Sequence, residues 1–233
     1  MDKFLLIPRD AGKRRAPIID DPMKVEARLR ELHPDLNPTL LHYAISGGLD
    51  QRNEVTPASA PTAAGSLQWH KTVNDLRYLL ADSEWIIYNN RNLPFITSPD
   101  YSISIVVMTG NYNTGKNGDD DPVNQAEKGV VAQGFIQKNN EQFELCNLES
   151  FGTTNKDDKG TQVWVLLYHY DQELKEIRYE LSLPTFYSKG RITSWKQRLI
   201  FKSIPNNPDK NSIIESEPSV PVTIHVEPKT KTL

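Results

Sequence analysis

The chain contains 233 residues, and its 27 Lys and Arg residues against 30 Asp and Glu residues leave a net charge of −3. This length suits one large domain or two small ones, and the near balance of charge excludes a protein that coats nucleic acid or anionic membrane over its whole surface. The single cysteine, Cys146, excludes an intrachain disulfide. No apolar run approaches the roughly 18 residues that a membrane span needs, so we expect a cytoplasmic protein with no membrane partner.

Helices are predicted in part by residues that precede proline. Asp21-Pro22, Asn37-Pro38 and Asp121-Pro122 each place an N-cap acceptor before a proline whose φ already suits the first helical turn. These pairs predict helices over 22–33, 38–46 and 121–135, the second of them ended by Gly47-Gly48. A further helix is predicted over 66–81, where apolar residues recur at helical spacing: Trp69, Val73, Leu76 and Leu80.

Strands are predicted in the second half of the chain by alternating or continuous apolar runs. The clearest hairpin joins 163–170 to 176–183, and the alternation in its second strand is typical of a half-buried antiparallel pair. The full set of predicted strands is 85–88, 93–97, 101–108, 143–147, 163–170, 176–183 and 191–202, with an edge strand over 220–226.

These elements predict an α+β fold. An antiparallel sheet of about five strands is packed on one face by two helices, one carrying Trp69 and one beginning at Pro122. A stretch rich in Pro, Ala, Ser and Thr predicts a flexible linker. We therefore divide the chain into a small helical N-terminal segment (1–49), a linker (50–65), an α+β main domain (66–204) and a largely mobile tail (205–233).

The segment from Gly110 to Asn117 is similar to the phosphate-binding pattern G-x-x-x-x-G-K-[ST], in which backbone N–H groups and the lysine hold phosphates. Asn117 replaces the hydroxyl that holds Mg²⁺, and the aspartate run 119–121 stands where an anion would bind, which favours a surface loop. The length of this polar loop still makes it a candidate ligand-binding loop. Its candidate residues are Gly110, Asn111, Asn113, Thr114, Gly115 and Lys116.

The residue pattern does not favour a metal site or a catalytic centre. The aspartate run 119–121 departs from the calcium-loop pattern, and helix capping explains it without a cation. The histidines share no metal-ligand spacing, so we expect no zinc site. Asp100, Glu173 and Lys175 supply the residue types of a metal-dependent nuclease at a spacing that arises easily by chance. We expect no catalytic residue, no metal and no cofactor, and we favour a protein that is not an enzyme.

A second candidate site is the basic segment 184–202, which has no acidic residue and interleaves Lys and Arg with aromatic residues. If 191–202 is a strand, Lys196, Arg198 and Lys202 share one face, with Trp195 and Phe201 opposite. Such a face can follow a phosphate backbone and stack bases, whereas an ordinary strand with aromatic residues in the core explains the same pattern. The candidate interaction residues are Lys189, Arg191, Trp195, Lys196, Arg198 and Lys202.

Two stretches resemble motifs in uncharacterised bacterial proteins. The first is 104–111, Ser-Ile-Val-Val-Met-Thr-Gly-Asn, continuing to Thr114-Gly115. The second is 179–184, Tyr-Glu-Leu-Ser-Leu-Pro, followed by Gly190-Arg191-Ile192, Trp195 and Arg198. The match spans about residues 69–203. The resemblance implies a bacterial source and an accessory or mobile locus, and it carries no activity, fold or catalytic residue.

The sequence supports two functions of different classes. The first is a non-catalytic interaction protein that binds a protein partner or nucleic acid, with the basic strand as its surface and no prediction for its oligomeric state. The alternative is an enzyme, either one that binds a nucleotide or phosphate through the loop 109–121 or a metal-dependent nuclease.

Overall fold

The computed structural model describes residues 15–149 and 160–207. Its helices are α1 (Pro22–Leu32), α2 (Pro38–Asn53), α3 (Ala63–Ala81) and α4 (Val130–Glu149). Its strands are β1 (Ile18–Ile19), β2 (Ile86–Asn90), β3 (Leu93–Thr97), β4 (Ile103–Thr109), β5 (Gln162–Asp171), β6 (Glu176–Ser188), β7 (Arg191–Ile200) and β8 (Ile204–Pro205). The predicted edge strand 220–226 and the tail from residue 208 onward lie outside the described residues.

The strands form one sheet in the order β1-β7-β6-β5-β4-β3-β2, and β8 pairs with the start of β6. The β1–β7 and β4–β5 pairs are parallel, and the other pairs are antiparallel. The predicted α+β class is confirmed. The sheet has eight strands rather than about five, because the β2–β3 hairpin and the two short strands β1 and β8 all join it.

Helices cover both faces of the sheet, which corrects the predicted packing on one face. On the first face, α1, α2 and α3 share a large apolar cluster with strand residues such as Trp164 and Leu181. On the second face, α4 packs Phe135 and Ile136 against Val165. The physical reason is the parallel β4–β5 pair, since two adjacent parallel strands require a crossover connection, and α4 lies in that crossover.

The N-terminal helices join the same cluster as α3. Since α2 ends at Asn53 and α3 begins at Ala63, residues 54–62 connect them within the range predicted as a linker. The flexibility of this connection, and the division into domains built on it, stay predictions. No helix in the described ranges is long and apolar enough to cross a bilayer.

Two of the three helix starts predicted from a residue before proline are confirmed. The side chain of Asp21 accepts a hydrogen bond from the amide of Lys24 at 3.0 Å, and that of Asn37 accepts one from Leu40 at 2.9 Å. The helix predicted over 121–135 is wrong, because α4 begins at Val130 and runs through the predicted strand 143–147. Asp121 contacts Arg198 of β7 instead of capping a helix.

Gly47 and Gly48 do not end α2, which continues for a further turn to Asn53. They let α2 approach α3 closely. A Cβ atom on Gly48 would overlap the hydroxyl of Thr72 and lie 2.9 Å from the backbone oxygen of Gln68, and one on Gly47 would overlap the carboxylate of Asp75. The glycine pair is therefore a helix-packing feature and not a C-terminal stop.

The substitution Gly48→Ala should lower the free energy of unfolding by about 1–3 kcal/mol, because the added methyl group overpacks the contact between α2 and α3. Gly134→Ala is the matched control on α4, where an added Cβ meets no heavy atom within 4 Å. There the gain in helix propensity should raise stability by up to about 1 kcal/mol. Urea unfolding of both variants checks the pair. A stabilising effect of Gly48→Ala would contradict the packing role.

Candidate ligand-binding site

The chain between β4 and α4 (residues 110–129, hereafter the cover loop) folds across one face of β6 and β7. The indole N–H of Trp195 donates to the carbonyl of Pro122 at 2.8 Å, and the side chain of Asn124 donates to the carbonyl of Gly190 and accepts from the amide of Ile192. Strand β6, which the sequence predicts to have one exposed face, is therefore covered on both faces. Arg178, Glu180 and Ser182, expected at the surface, are all buried.

Glu180 holds the centre of the cover loop. Its carboxylate accepts hydrogen bonds from Arg198 at 2.6 and 3.0 Å, from the hydroxyl of Ser182 at 2.7 Å and from the amide of Gly115 at 2.8 Å. Arg198 also donates to the carbonyl of Lys116 at 3.2 Å. Both partners of this ion pair are fully buried, so hydrogen bonds take the place of the water that each charge loses.

Arg178 holds the first half of the same loop. Its guanidinium donates to the carbonyl oxygens of Thr114 and Tyr112, and it pairs with Asp171 at 2.8 Å. The amide of Leu174 and the Arg178 guanidinium lower the pKa of Asp171. These buried charges stabilise the structure of the loop.

The predicted ligand-binding residues lie in this loop but do not form a phosphate-binding turn. The amide of Gly115 is engaged by Glu180, and the ammonium of Lys116 lies 3.0 Å from the centre of the Tyr112 ring. The next helix, α4, begins only at Val130. Of the other candidates, Gly110 pairs with Asn124, Asn111 accepts from the amides of Asn113 and Val123, and Thr114 is buried.

The basic strand does not present one exposed face. The pairing with β6 has a register shift that puts Trp195 opposite Pro184 and Gln197 opposite Leu183. Lys196 is therefore the extra residue of a β-bulge, which changes the alternation of faces along β7. As a result Trp195 and Arg198, which were predicted on opposite faces, both contact the cover loop. Arg198 and Trp195 are buried, Arg191 donates to the carbonyls of Asn124 and Gln125, Lys196 is half-buried, and Lys189 and Lys202 are exposed.

The residues considered for a nuclease are not brought together. Asp100 precedes β4 and Glu173 follows β5, and because these strands are parallel, the two carboxylates lie at opposite ends of the sheet. Within the described ranges, no group of three or more His, Cys, Asp and Glu side chains could hold a metal ion.

A cleft of about 1120 Å³ opens at the carboxyl ends of β4 and β5. Its walls come from the turn between β2 and β3, the last residues of β5, and the beginnings of α3 and α4. Of the predicted ligand-binding loop 109–121, only Thr109 and Tyr112 reach it. The carboxyl end of parallel strands is the usual place for a ligand in sheets with helices on both faces.

The N-terminal turns of two helices line the cleft. Ala64, Gly65 and Ser66 of α3 line it, as do Val130 and Val131 of α4. The N-cap residue of α3, Thr62, makes no side-chain hydrogen bond to the first turn. The first N–H groups of a helix have no partner within the helix and carry the positive end of its dipole, so both ends favour a negatively charged group.

Cationic side chains line the same cleft. Arg52, Arg91 and Lys128 line the cleft, and none of them pairs with a carboxylate among the described residues. Burial lowers the pKa of Lys128, so an anion beside it would favour its charged form. The carboxylates of Glu127, Asp171 and Glu173 also line the cleft, and that of Asp171 is paired with Arg178.

Buried polar atoms without a partner mark one wall of the cleft. Among residues that line it, the side-chain nitrogen of Gln68 and the hydroxyl of Tyr168 are shielded and form no hydrogen bond. The oxygen of Gln68 accepts from Arg52 at 3.3 Å, and the Arg52 guanidinium lies 4.0 Å from the centre of the Tyr170 ring. Buried polar groups in folded proteins are nearly always paired, so these two atoms are unusual features of the cleft wall.

No protein-family model, curated protein or solved structure matches this chain. The resemblance to uncharacterised bacterial proteins, and the bacterial source that it implies, stay predictions.

Proposed function

We propose that the protein binds a small organic anion, one carrying a phosphate or carboxylate group, in the cleft between α3 and α4. The observation that carries this proposal is the convergence of two helix N-termini with Arg52, Arg91 and Lys128, none of which has a carboxylate partner in the described residues. The volume of about 1120 Å³ lies slightly above the usual range of roughly 300–1,000 Å³ for small-molecule sites, and it has room for a ligand as large as a nucleotide.

Arg52 is the residue best placed to hold the anion. Its stacking on Tyr170 and its hydrogen bond to Gln68 fix the guanidinium before a ligand arrives. A fixed guanidinium loses less conformational freedom on binding than a mobile lysine does. The side-chain nitrogen of Gln68 and the hydroxyl of Tyr168 are shielded from solvent, so a ligand reaches them only if side chains of the cleft wall move.

Calorimetric titration with charged and uncharged counterparts tests the proposal: AMP beside adenosine, and ribose 5-phosphate beside ribose. We expect the charged member of a pair to bind and its uncharged counterpart to bind at least tenfold more weakly. Arg52→Met should weaken binding of the anion about ten- to a hundredfold, because a hydrogen bond to a charged group contributes about 1.5–3 kcal/mol.

Arg30→Met is the matched control, because Arg30 is an exposed arginine on α1 with no place in the cleft. Its affinity for the anion should equal that of the unmodified protein. Equal losses in the two variants, or no binding of either anion at millimolar concentration, would contradict the proposal.

The prediction of a protein or nucleic-acid partner stays a prediction. The candidate surface on β7 offers fewer exposed residues to such a partner than the sequence predicts, because Trp195 and Arg198 are buried beneath the cover loop. An enzymatic role for the cleft is likewise left as a prediction.

A further inference from the structure

One side chain in the cleft differs in chemistry from the cations around it. His169 lies near the end of β5, is half-buried and lines the cleft. Its Nδ1 atom lies 3.1 Å from the carbonyl oxygen of Gly110. A carbonyl oxygen only accepts hydrogen bonds, so Nδ1 carries the proton of this contact. In the neutral ring, Nε2 is then a hydrogen-bond acceptor.

The surroundings favour the neutral form of this ring in the protein without a bound anion. Burial lowers the pKa of His169, and the positive charges of Arg178 and Lys116 act in the same direction, against the opposing effects of Gly110 and Asp171. Tyr112 also faces the ring, with the ring centres 6.5 Å apart. No described residue forms a hydrogen bond with Nε2.

An acceptor that has no partner among the described residues favours a particular kind of group on the ligand. A phosphate dianion or a carboxylate has only acceptor oxygens, so it can bind Nε2 only if the ring takes up a proton, which the burial of His169 disfavours. A hydroxyl group is a donor and fits it. The geometry points to a hydroxylated organic anion as the ligand, with its charged group between the helix N-termini and a hydroxyl donating to His169 Nε2.

This inference rests on the proposed function, and it names the class of ligand: a sugar phosphate, a nucleotide with a free ribose, or a hydroxy acid, in preference to a simple alkyl phosphate or carboxylate. A backbone carbonyl fixes the tautomer in advance, so the acceptor is in place before the ligand binds. The orienting contact comes from the first residue of the cover loop, Gly110.

A comparison of ribose 5-phosphate with methyl phosphate tests the inference, at a pH where both are dianions. The unmodified protein should prefer ribose 5-phosphate about two- to tenfold, as expected for one net hydrogen bond. The variant His169→Phe keeps an aromatic ring and removes the acceptor. It should bind both ligands with the affinity that the unmodified protein shows for methyl phosphate.

The outcomes separate this inference from the proposed function. If His169→Phe retains the preference for ribose 5-phosphate, the inference is wrong and the anion site stands. If the variant weakens both ligands equally, His169 has a merely structural role and the inference is again wrong. If neither ligand binds the unmodified protein, both proposals fail. Nitrogen-15 spectra of the free protein add an independent check, since an Nε2–H tautomer would overturn the assignment of the acceptor.

Discussion

Arg198→Met should lower the free energy of unfolding by about 3–5 kcal/mol, the loss expected when one partner of a buried ion pair is removed. Arg198 and Glu180 have no exposed side-chain surface, and their closest atoms lie 2.6 Å apart. The variant leaves the Glu180 carboxylate buried with only Ser182 and the amide of Gly115 to bind it. Urea unfolding monitored by tryptophan fluorescence measures the loss.

The double variant Glu180→Gln/Arg198→Met separates the cost of an unpaired charge from the cost of lost packing. The glutamine side chain that it introduces is neutral, and its oxygen can still accept from the amide of Gly115, so we expect the double variant to recover at least half of the loss. Arg30→Met removes an exposed ion pair with Glu26 on α1 and should cost no more than about 0.5 kcal/mol. A double variant whose loss equals the sum of the two single losses would contradict the account of the pair.

Asn139→Leu should lower the free energy of unfolding by about 3 kcal/mol. The buried amide of Asn139 donates to the carbonyls of Val163 and Pro184 at 2.9 and 3.1 Å and accepts from the amide of Val163 at 3.0 Å. These contacts fasten α4 to β5 and β6. Leucine has a similar volume but leaves three buried backbone groups without a partner, each at a cost of about 1–3 kcal/mol before relaxation.

The control on the same helix is Gln133→Leu, because Gln133 is exposed. Its effect should remain within about 0.5 kcal/mol. Chemical unfolding of the two variants side by side gives the comparison. Equal stability of Asn139→Leu and the unmodified protein would show that α4 is held by its apolar contacts alone.

Local chemistry made much of the fold predictable. Asp21 and Asn37 cap their helices through contacts that span three residues, so the Asp-Pro and Asn-Pro pairs carry the necessary information. The same holds for the hairpin of β5 and β6, whose alternation and short turn define an antiparallel pair. Asp121-Pro122 has the same local pattern, but Asp121 contacts Arg198 across the fold, and a distant partner outweighs a local preference.

The burial of charged residues on β6 and β7 was not predictable from alternation. Arg178, Glu180 and Arg198 occupy positions that face water in a sheet with one covered face. They are buried because the cover loop crosses them, and nothing in their own segments specifies that crossing. The carboxylates that pair with Arg198 come from outside the basic segment 184–202, from Glu180 and Asp121.

The cleft was predictable only in part. The unusual length of the loop after β4 led to Thr109 and Tyr112, which do line it. Arg52, Gln68 and Lys128 come from separate segments, and each is ordinary in its own sequence context. Only the parallel pairing of β4 and β5, and the placement of α3 and α4 on opposite faces, brings them to one edge of the sheet.

The most direct test of the anion site is a titration with methyl phosphate followed in ¹H–¹⁵N spectra of the full chain. The account predicts saturable shifts centred on the amides of Ala64, Gly65, Val130 and Val131, which line the cleft at the two helix N-termini, and their loss in Arg52→Met. Shifts centred on the cover loop around Gly115, or shifts spread over the surface without saturation, would contradict it.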